Sequence, residues 1–314
     1  MRALVTGVAG FIGSSVADAL LAQGDHVLGV DCFTPYYGRA DKEANLSDAR
    51  QCKRFELTES DLRTDDIDPM LDGIDVVFHQ AAQAGVRLSW SDGFADYAGH
   101  NILATQRLLE AAKRAGGTKV VYASSSSVYG NAVAYPTSED DLPRPYSPYG
   151  VTKLAAEHLC NLYAANWGVP TISLRYFTVY GPRQRPDMAF HRLLAAALTG
   201  GSFPLYGDGS AIRDFTYVGD VVNANLAAAD RDCEPGTVVN IAGGSSIAMR
   251  DLLELAASVV GHAPTIDRQP NQPGDVVRTG GTIDRAQRVL GWQPSTDLRT
   301  GLAEQVEWHR ARRA

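Results

Sequence analysis

The stretch TGVAGFIG, residues 6–13, decides the fold that we predict for this chain. It places Gly7, Gly10 and Gly13 between a short apolar run, residues 3–6, and a helical pattern over residues 11–24. Glycine lets a chain turn tightly and lets backbone N–H groups approach a pyrophosphate, whose charge is favourable at a helix N-terminus. The stretch therefore predicts a strand, a phosphate-binding loop and a helix, as at the start of a dinucleotide-binding sheet.

Short β-branched runs alternate with longer helical patterns through the first half of the chain. The candidate strands are residues 3–6, 26–31, 76–79, 119–123 and 171–176. The candidate helices are residues 11–24, 101–115 and 149–167. Such alternation is typical of a parallel sheet covered by helices on both faces. We predict an α/β fold, a Rossmann-type doubly wound parallel sheet with a smaller α/β substrate-binding cap domain.

The pattern becomes looser after about residue 177, where proline and glycine are frequent and the candidate strands are short. Helical patterns recur near residues 188–199, 249–261 and 300–312. We therefore predict a first domain over residues 1–176, with a segment near 212–240 that returns to its sheet. Residues 177–314 are assigned mainly to the second domain.

Composition limits the classes of partner. The 314 residues carry a formal net charge of −7, which disfavours nucleic acid because its binding proteins usually present a basic surface. The first residues, MRALVTG, enter a strand at once, and no apolar run approaches the ~20 residues that span a bilayer. We expect a cytoplasmic protein without a membrane partner. The four cysteines lack metal-ligand spacing, so we expect buried reduced thiols and no metal site.

Asp31 closes the second candidate strand and favours NAD over NADP. A carboxylate at this place accepts hydrogen bonds from the adenosine ribose and repels a 2′-phosphate. Arg39 and Lys42 follow in the sequence and leave NADP open as an alternative. The strands that come next are expected to present further cofactor contacts: Asp61, Leu62, Gln80, Ala81 and Ala82.

Two later motifs carry candidate chemistry. SPYGVTK, residues 147–153, places Tyr149 and Lys153 on one helical face, where an ammonium would lower the phenol pKa from its usual value of about 10. YASSSSVYG, residues 122–130, follows the fifth candidate strand, and a serine there can relay a proton to Tyr149. Each motif alone also fits a plain structural role, a surface pair or a serine-rich turn. His79 is interpreted as a packed histidine at a strand end.

The glycine loop, the serine cluster and the Tyr/Lys pair together resemble the extended short-chain dehydrogenase/reductase family, specifically its nucleotide-sugar epimerases and dehydratases. GDGSAIRDFTYVGDV (207–221), NIAGG (240–244) and QPGDVVRT (272–279) extend the resemblance over essentially the whole chain. The resemblance implies that Ser125, Tyr149 and Lys153 are catalytic. The expected NAD-binding residues are Gly7, Gly10, Phe11, Ile12, Gly13, Asp31, Asp61, Leu62, Gln80, Ala81, Ala82, Tyr149, Lys153 and Tyr176.

The residues before VYG separate the reactions of this family. Dehydratases have an Asp-Glu pair there and UDP-glucuronate decarboxylases a glutamate, whereas this chain has Ser126 and Ser127. RYFTVYGPRQRPDMAF (175–190), HQAAQAGVR (79–87) and DCFTPYYGR (31–39) resemble UDP-glucuronate 4-epimerases, with Thr178 where UDP-galactose 4-epimerases usually have asparagine. The implied substrate-binding residues are Arg87, Ser125, Ser126, Ser127, Tyr149, Thr178, Arg185, Tyr206, Arg213 and Arg278.

The resemblance implies reversible 4-epimerisation of UDP-glucuronate to UDP-galacturonate through a transient 4-keto sugar and tightly bound NAD. Tyr206 would stack on uracil, and Arg213 and Arg278 would bind the diphosphate of the UDP-sugar. For Arg185 the alternatives to a role at the sugar are a salt bridge within its own loop and a contact with phosphate alone. Thr282 replaces an aspartate of many relatives, so no contact is inferred there.

A homodimer is also implied, with residues 101–115 and 149–167 forming a four-helix interface. The alternative functions are a UDP-glucuronate decarboxylase, another UDP-hexose 4-epimerase and a non-catalytic NAD-sensing regulator. The regulator is the alternative that would not need Ser125, Tyr149 and Lys153 together.

Overall fold

The computed structural model describes residues 1–312, so residues 313 and 314, the last two of the predicted second domain, lie outside the described residues. The strands are β1 (Arg2–Thr6), β2 (His26–Asp31), β3 (Phe55–Glu59), β4 (Val76–His79), β5 (Lys119–Ser125), β6 (Thr171–Tyr176), β7 (Thr178–Tyr180), β8 (Ser202–Tyr206), β9 (Ile212–Tyr217), β10 (Thr237–Ile241), β11 (Ser245–Ala248) and β12 (Thr265–Gln269).

The helices are α1 (Phe11–Ala22), α2 (Arg39–Asn45), α3 (Phe94–Tyr97), α4 (Ala104–Ala115), α5 (Pro148–Trp167), α6 (Ala189–Thr199), α7 (Val218–Asp230), α8 (Met249–Val260), α9 (Asp284–Leu290) and α10 (Leu298–Ala311). The helix predicted from residue 101 begins as a π-helical segment, Ala98–Leu103, which runs directly into α4.

Seven parallel strands form the central sheet in the order β10-β6-β5-β4-β1-β2-β3. The chain runs outward from β1 in one direction through β2 and β3 and then in the other through β4, β5 and β6. In such doubly wound sheets, ligands bind beyond the carboxyl ends of the strands where the direction reverses. The fold class predicted from the sequence is confirmed.

Helices cover both faces of this sheet, because successive strand residues point to opposite sides. Leu4 packs in a core with α4 and α5, whereas its neighbour Val5 packs in a second core with α1 and α7. Both residues are fully buried. The near-continuous apolar strands detected in the sequence therefore reflect burial on two faces.

The smaller part of the molecule contains two further sheets, ordered β11-β9-β7 and β12-β8. A separate apolar core lies between α6, α8, α10 and β9, with Phe190, Phe215, Leu252 and Leu302 among its buried residues. Of the segment expected to return to the large sheet, β9 pairs with β7 and β11, whereas α7 and β10 pack with the large sheet. The division into two domains stays a prediction.

The cysteines differ from the expectation that they are buried. All four are unpaired among the described residues, but only Cys160 is buried, on α5 beneath the sheet. Cys32, Cys52 and Cys233 are half-buried because they lie in connections that follow β2, a short 3₁₀ turn and α7. Within residues 1–312, no helix has the length and apolar character required to cross a membrane.

A buried ion pair joins the elements beside the carboxyl end of β5. Arg175 on β6 donates to both carboxylate oxygens of Glu157 on α5, at 2.6 and 3.0 Å, and the side chains are only 4% and 2% exposed. Ser124 donates to the same carboxylate at 2.7 Å, and Arg175 also donates to the hydroxyl of Tyr129 at 2.7 Å. The network fixes α5 against β5 and β6.

Glu157→Gln should destabilise the fold strongly, because it leaves the Arg175 charge buried without its counter-charge. We expect a loss of about 3–5 kcal/mol in the free energy of unfolding, measured by denaturant titration. Glu307→Gln is the control, because Glu307 pairs with Arg310 on an exposed helix face. That change should cost less than about 0.5 kcal/mol. Equal losses in the two variants would contradict this account of the network.

Candidate active site

Two adjoining cavities share Tyr36 and Arg185 in their walls. The first lies at the carboxyl ends of the central strands, and every one of the predicted NAD-binding residues lines it. The second lies toward the smaller sheets, has a volume of about 1120 Å³, and is lined by Arg87, Thr178, Arg185, Tyr206 and Arg213. The site is therefore assembled from residues that are far apart in the sequence.

The glycine loop leaves no space for side chains. Gly7 has a φ of +66°, and a Cβ atom there would lie 2.7 Å from the amide nitrogen of Ala81. A Cβ at Gly13 would lie 2.2 Å from the carbonyl oxygen of Gly7. The first turn of α1 therefore packs directly on the loop, and its free backbone N–H groups face the cavity where a pyrophosphate would be favourable.

Asp31 is held in place by two backbone N–H groups. Its carboxylate accepts from Ala9 at 3.1 Å and from Phe33 at 2.8 Å, and it lines the first cavity. Arg39, which left NADP open as an alternative, forms a bidentate pair with Glu59 at 2.6 and 2.9 Å. Lys42 donates to the carbonyl of Thr34 at 2.9 Å. This arrangement fits NAD, because the fixed carboxylate faces the cavity while both cations have protein partners.

The first cavity also contains residues that the sequence reasoning missed. The side chain of Tyr37 lines this cavity, and its hydroxyl is buried without a hydrogen-bond partner among residues 1–312. Lys42 lies 5.0 Å from the centre of the Tyr37 ring. The aromatic pair in DCFTPYYGR was the available signal, and both of its tyrosines, Tyr36 and Tyr37, line this cavity.

A thiol, a carboxylate and an imidazole lie together at one end of the first cavity. Within the described part of the chain, the ligand atoms of Cys32, Asp61 and His100 lie within 4.8 Å of one another. Asp61 already pairs with Arg63 at 2.7 Å, and burial raises the pKa of the Cys32 thiol. Both features disfavour a cation, so we assign the three residues to the dinucleotide cavity.

The Tyr/Lys pair lies at the start of α5. Ser147 accepts from the backbone of Gly150 at 3.1 Å and Pro148 begins the helix, which fixes the first turn that carries Tyr149. Lys153 is buried and donates to the carbonyl oxygen of Ala123 at 2.8 Å. Burial lowers the pKa of Lys153 to about 7. Both side chains line the first cavity, as the sequence predicts.

The protonation of Tyr149 differs from the sequence expectation. Burial raises the pKa of Tyr149, whereas a hydrogen bond with Ser125 and the positive charge of Arg185 act in the opposite direction. Lys153 was expected to lower this pKa, but its ammonium is directed to the Ala123 carbonyl. Within the protein, Ser125 and Arg185 are therefore the groups that favour the phenolate.

His79 is a structural residue, in agreement with the sequence interpretation. It is fully buried, and its two ring nitrogens lie 2.7 Å from the hydroxyl of Thr6 and 2.9 Å from that of Thr105. Burial lowers the pKa of His79 to about 3, and the charge of Lys153 acts in the same direction. The imidazole is therefore neutral and holds β1 and β4 against α4.

The three arginines of residues 175–190 have different roles. Arg175 is committed to Glu157, and Arg183 pairs with Asp18 at 2.6 Å. Arg185 alone of the three lines the cavities, where it also forms a bidentate pair with Asp187. For Arg185 the loop salt bridge and a position at the ligand cavities therefore coexist.

Some predicted substrate ligands lie apart from the cavities. Ser126 and Ser127 form a 3₁₀ turn after β5 and are not among the residues that line either cavity, and neither is Ser125 itself. Arg278 is exposed and lies over the ring of Tyr135 at 5.1 Å, outside both walls. The structure therefore brings Thr178 and Arg185 into the second cavity but leaves these other candidates beside it.

The far end of the second cavity has an aromatic and cationic wall. Arg87 lies 3.9 Å from the centre of the Tyr206 ring and pairs with Asp275 at 2.9 Å. Burial lowers the pKa of Arg213, whose guanidinium donates only to backbone carbonyls of Ile212 and Val277 among the described residues. A half-buried guanidinium that has no carboxylate partner within residues 1–312 is suited to an anionic ligand.

Comparison with known proteins agrees with this geometry. Over 99% of both chains, the structure is similar to that of UDP-glucuronic acid 4-epimerase from Bacillus cereus in complex with UDP-glucuronic acid and NAD, with 40% sequence identity and a TM-score of 0.96. UDP-glucose 4-epimerase of Mycolicibacterium smegmatis is 39% identical over 99% of each chain. UDP-glucuronate 4-epimerase of Thermodesulfobacterium geofontis is 34% identical over 97% of this chain and 95% of its own.

The resemblance inferred from the motifs is thereby confirmed. Residues 3–242, which include the glycine loop, the serine cluster and the Tyr/Lys pair, match a single family description. The chain belongs to the NAD dependent epimerase/dehydratase family.

Proposed function

We propose that this protein is an NAD-dependent UDP-glucuronate 4-epimerase, which interconverts UDP-glucuronate and UDP-galacturonate. The observation that carries the proposal is the position of Arg185, which lines both cavities and whose charge acts on the phenol of Tyr149. The carboxylate of a hexuronate is attached to carbon 5, next to the reacting carbon 4. A base at the 4-hydroxyl and a cation for the carboxylate must therefore be neighbours, as they are here.

The relatives support the same substrate. The Bacillus cereus enzyme carries UDP-glucuronic acid and NAD in its structure, and its chain is 40% identical over nearly the full length. The first cavity fits NAD through its glycine loop and the fixed Asp31 carboxylate. The second cavity has room for a nucleotide sugar, with Tyr206 proposed to face the uracil and Arg213 the diphosphate.

In the proposed mechanism, Tyr149 takes the proton from the 4-hydroxyl group, directly or through Ser125, and later returns it to the inverted oxygen. Ser125 is suited to this relay because its hydroxyl acts to lower the pKa of the Tyr149 phenol. Lys153, fixed by the Ala123 carbonyl, would hold the nicotinamide ribose. NAD held by the residues of the first cavity would supply a reversible hydride acceptor for carbon 4, and return of the hydride to the opposite face of the sugar would invert that carbon. The large second cavity gives the sugar room to rotate between these two steps.

The carboxylate makes this chemistry demanding. A ketone at carbon 4 is β to the carboxylate, and β-keto acids lose carbon dioxide when the C–C bond aligns with the carbonyl π system. An epimerase must hold that carboxylate with fixed donors and away from this alignment. Among the predicted substrate-binding residues, Thr178 and Arg185 line the second cavity, and we assign the carboxylate to them. Ser126 and Ser127 remain proposed contacts for an extended substrate.

A second candidate substrate is UDP-glucose, because the relative from Mycolicibacterium smegmatis is named a UDP-glucose 4-epimerase and is 39% identical. A neutral hexose would not use the charge of Arg185. The cation in the wall therefore favours the hexuronate over the neutral sugar.

We further propose a homodimer, built on the π-helical segment before α4 and on α5. Leu103 is 48% exposed, and Val151, Leu162 and Trp167 on α5 are 49%, 56% and 62% exposed. Large apolar side chains grouped on two neighbouring helices are typical of an interface. The cytoplasmic location stays a prediction.

The holoenzyme should invert carbon 4 of UDP-glucuronate, and Tyr149→Phe should lower that rate at least ~100-fold because it removes the general base. NMR of the sugar products measures both. Since burial raises the pKa of Tyr149, the rate of the unmutated enzyme should also rise with pH as the phenolate becomes populated.

Tyr163→Phe is the matched control, because it removes a hydroxyl from the other end of α5, where it bonds to Glu110. It should leave the rate within about threefold. Release of carbon dioxide as the main reaction would indicate a decarboxylase, inversion of UDP-glucose alone would indicate the second candidate, and no conversion would indicate a regulator.

Asp31→Asn should narrow the preference for NAD over NADP by about 10- to 100-fold, the scale of one charge-assisted hydrogen bond. Asparagine keeps one acceptor oxygen, so it can accept from only one of the amides of Ala9 and Phe33, and the comparison is therefore made as the ratio of the two cofactor affinities of the same variant. Competitive binding of the two cofactors to apo-protein measures the ratio. Equal affinity of the unmutated protein for NAD and NADP would contradict the assignment of Asp31.

Thr178→Ala should raise the ratio of UDP-4-keto-pentose to epimer, because one donor to the carboxylate is lost while the base is retained. We expect an increase of about fivefold or more, the scale of one hydrogen bond. Both products are quantified in one reaction. Ser210→Ala removes a hydroxyl from the same cavity where it bonds to Asp208. A similar rise in that variant would show that the effect is not specific to the carboxylate.

A further inference from the structure

We infer that Asp187 and Tyr36 form a positioning pair, which orients the guanidinium of Arg185 toward the carboxylate of the sugar. The inference rests on the proposed function, because it names residues that determine selection for a hexuronate. It concerns two side chains to which the sequence motifs assigned no role.

The geometry of the pair is that of a clamp on one edge of the guanidinium. Arg185 donates from Nε to Asp187 Oδ1 at 3.0 Å and from Nη2 to Asp187 Oδ2 at 3.1 Å. The hydroxyl of Tyr36 donates to the same Oδ2 atom at 3.1 Å. The side chain of Arg185 is 19% exposed, and its guanidinium carbon, Cζ, lies 5.7 Å from the centre of the Tyr36 ring. Three residues thus restrict one another.

The clamp leaves a second edge of Arg185 available. A guanidinium has five N–H donors, and a carboxylate bound to Nε and Nη2 uses one from each. Nη1, with both of its hydrogens, has no hydrogen-bond partner in the protein within residues 1–312, and Nη2 keeps one further hydrogen. The Nη1 and Nη2 edge can therefore donate two hydrogen bonds to a second carboxylate, in the bidentate arrangement that arginine prefers.

Two backbone positions, Pro186 and Gly85, support the contacts among Arg185, Asp187 and Tyr36. Pro186 separates the two charged residues, and its ring fixes φ at that point of the loop. Gly85 has a φ of +100°, and a Cβ atom there would lie 2.5 Å from the hydroxyl oxygen of Tyr36. The absence of a side chain at Gly85 is thus what admits the Tyr36 hydroxyl to Asp187.

Orientation matters here because of the position of Arg185 relative to the base. Arg185 and Tyr149 line the same cavity, so a carboxylate bound to the free edge of Arg185 would lie near the carbon whose hydroxyl group faces Tyr149. A guanidinium free to rotate would hold the same carboxylate in several directions, including those aligned with the 4-keto group. Fixing its other edge restricts the carboxylate to one direction, and this favours epimerisation over loss of carbon dioxide.

Asp187 could instead compete with the sugar carboxylate for Arg185, and this role predicts the opposite change in affinity. If Asp187 competed with the sugar for Arg185, its removal would strengthen binding of UDP-glucuronate. If Asp187 positions Arg185, its removal weakens binding of UDP-glucuronate and leaves UDP-glucose, which has no carboxylate, nearly unchanged.

The test measures dissociation constants of both UDP-sugars for the NAD-bound protein, in the Tyr149→Phe background that prevents turnover. Asp187→Ala should raise the dissociation constant of UDP-glucuronate about tenfold or more, because Asp187 and Arg185 are in contact and their effects are coupled. The dissociation constant of UDP-glucose should rise less than about threefold. Asp187→Asn, which keeps one acceptor, and Tyr36→Phe should give intermediate losses for the acidic sugar. In an Arg185→Ala background, Asp187→Ala should have less than about a twofold further effect.

In the active enzyme, Asp187→Ala should also raise the share of decarboxylated product. Asp251→Ala is the control, because Asp251 pairs with its neighbour Arg250 on the surface, and it should change neither measurement. Tighter binding of UDP-glucuronate, equal losses for the two sugars, or full additivity with Arg185→Ala would each overturn the inference. A protein that binds UDP-glucuronate without converting it would overturn the proposed function, while the binding series would still decide the role of Asp187.

Discussion

The buried pair of Arg175 and Glu157 is the constraint on which the site depends. Glu157 lies one helical turn beyond Lys153 on α5. Arg175 lies on β6, which is followed by β7 with Thr178 and then by the loop with Arg185. The same carboxylate accepts from Ser124, next to Ser125 at the end of β5. The segments that carry Tyr149, Ser125 and Arg185, the proposed base, relay and carboxylate ligand, are thus attached to one desolvated ion pair. Burial makes that pair costly to separate, and so it holds the three segments in one relation.

Burial shifts the pKa values of the titratable groups in the site, and a few neighbouring polar and charged groups act against these shifts. Burial raises the pKa of Tyr149 and lowers that of Lys153, so both groups are driven toward their neutral forms. Ser125 and Arg185 oppose this effect at the tyrosine. Arg185 therefore acts on the pKa of Tyr149 and is proposed to bind the substrate carboxylate. Its ion pair with Asp187 partly neutralises the guanidinium charge in both interactions.

Local rules made the first cavity predictable from the sequence. The glycine spacing follows from steric exclusion between neighbouring backbone segments, and the Tyr/Lys spacing follows from the helical repeat, so both are visible within a few residues. The arginines of residues 175–190 were not separable in this way. Their partners, Glu157 and Asp18, lie 18 and 165 positions away, and only the folded chain shows that Arg175 and Arg183 are occupied. The exposed place of Arg278 and the protonation of Tyr149 likewise depend on burial, which a motif does not encode.

Tyr36 and Arg185 line both cavities. Tyr36 follows Asp31 by only five residues in the sequence. The connection after β2 therefore belongs to the cofactor site at one end and to the sugar site at the other. For protein engineering, cofactor preference and sugar preference are then not independent variables. A library that varies residues 32–38 to change one of them samples the other as well, and its members need to be screened with both ligands present.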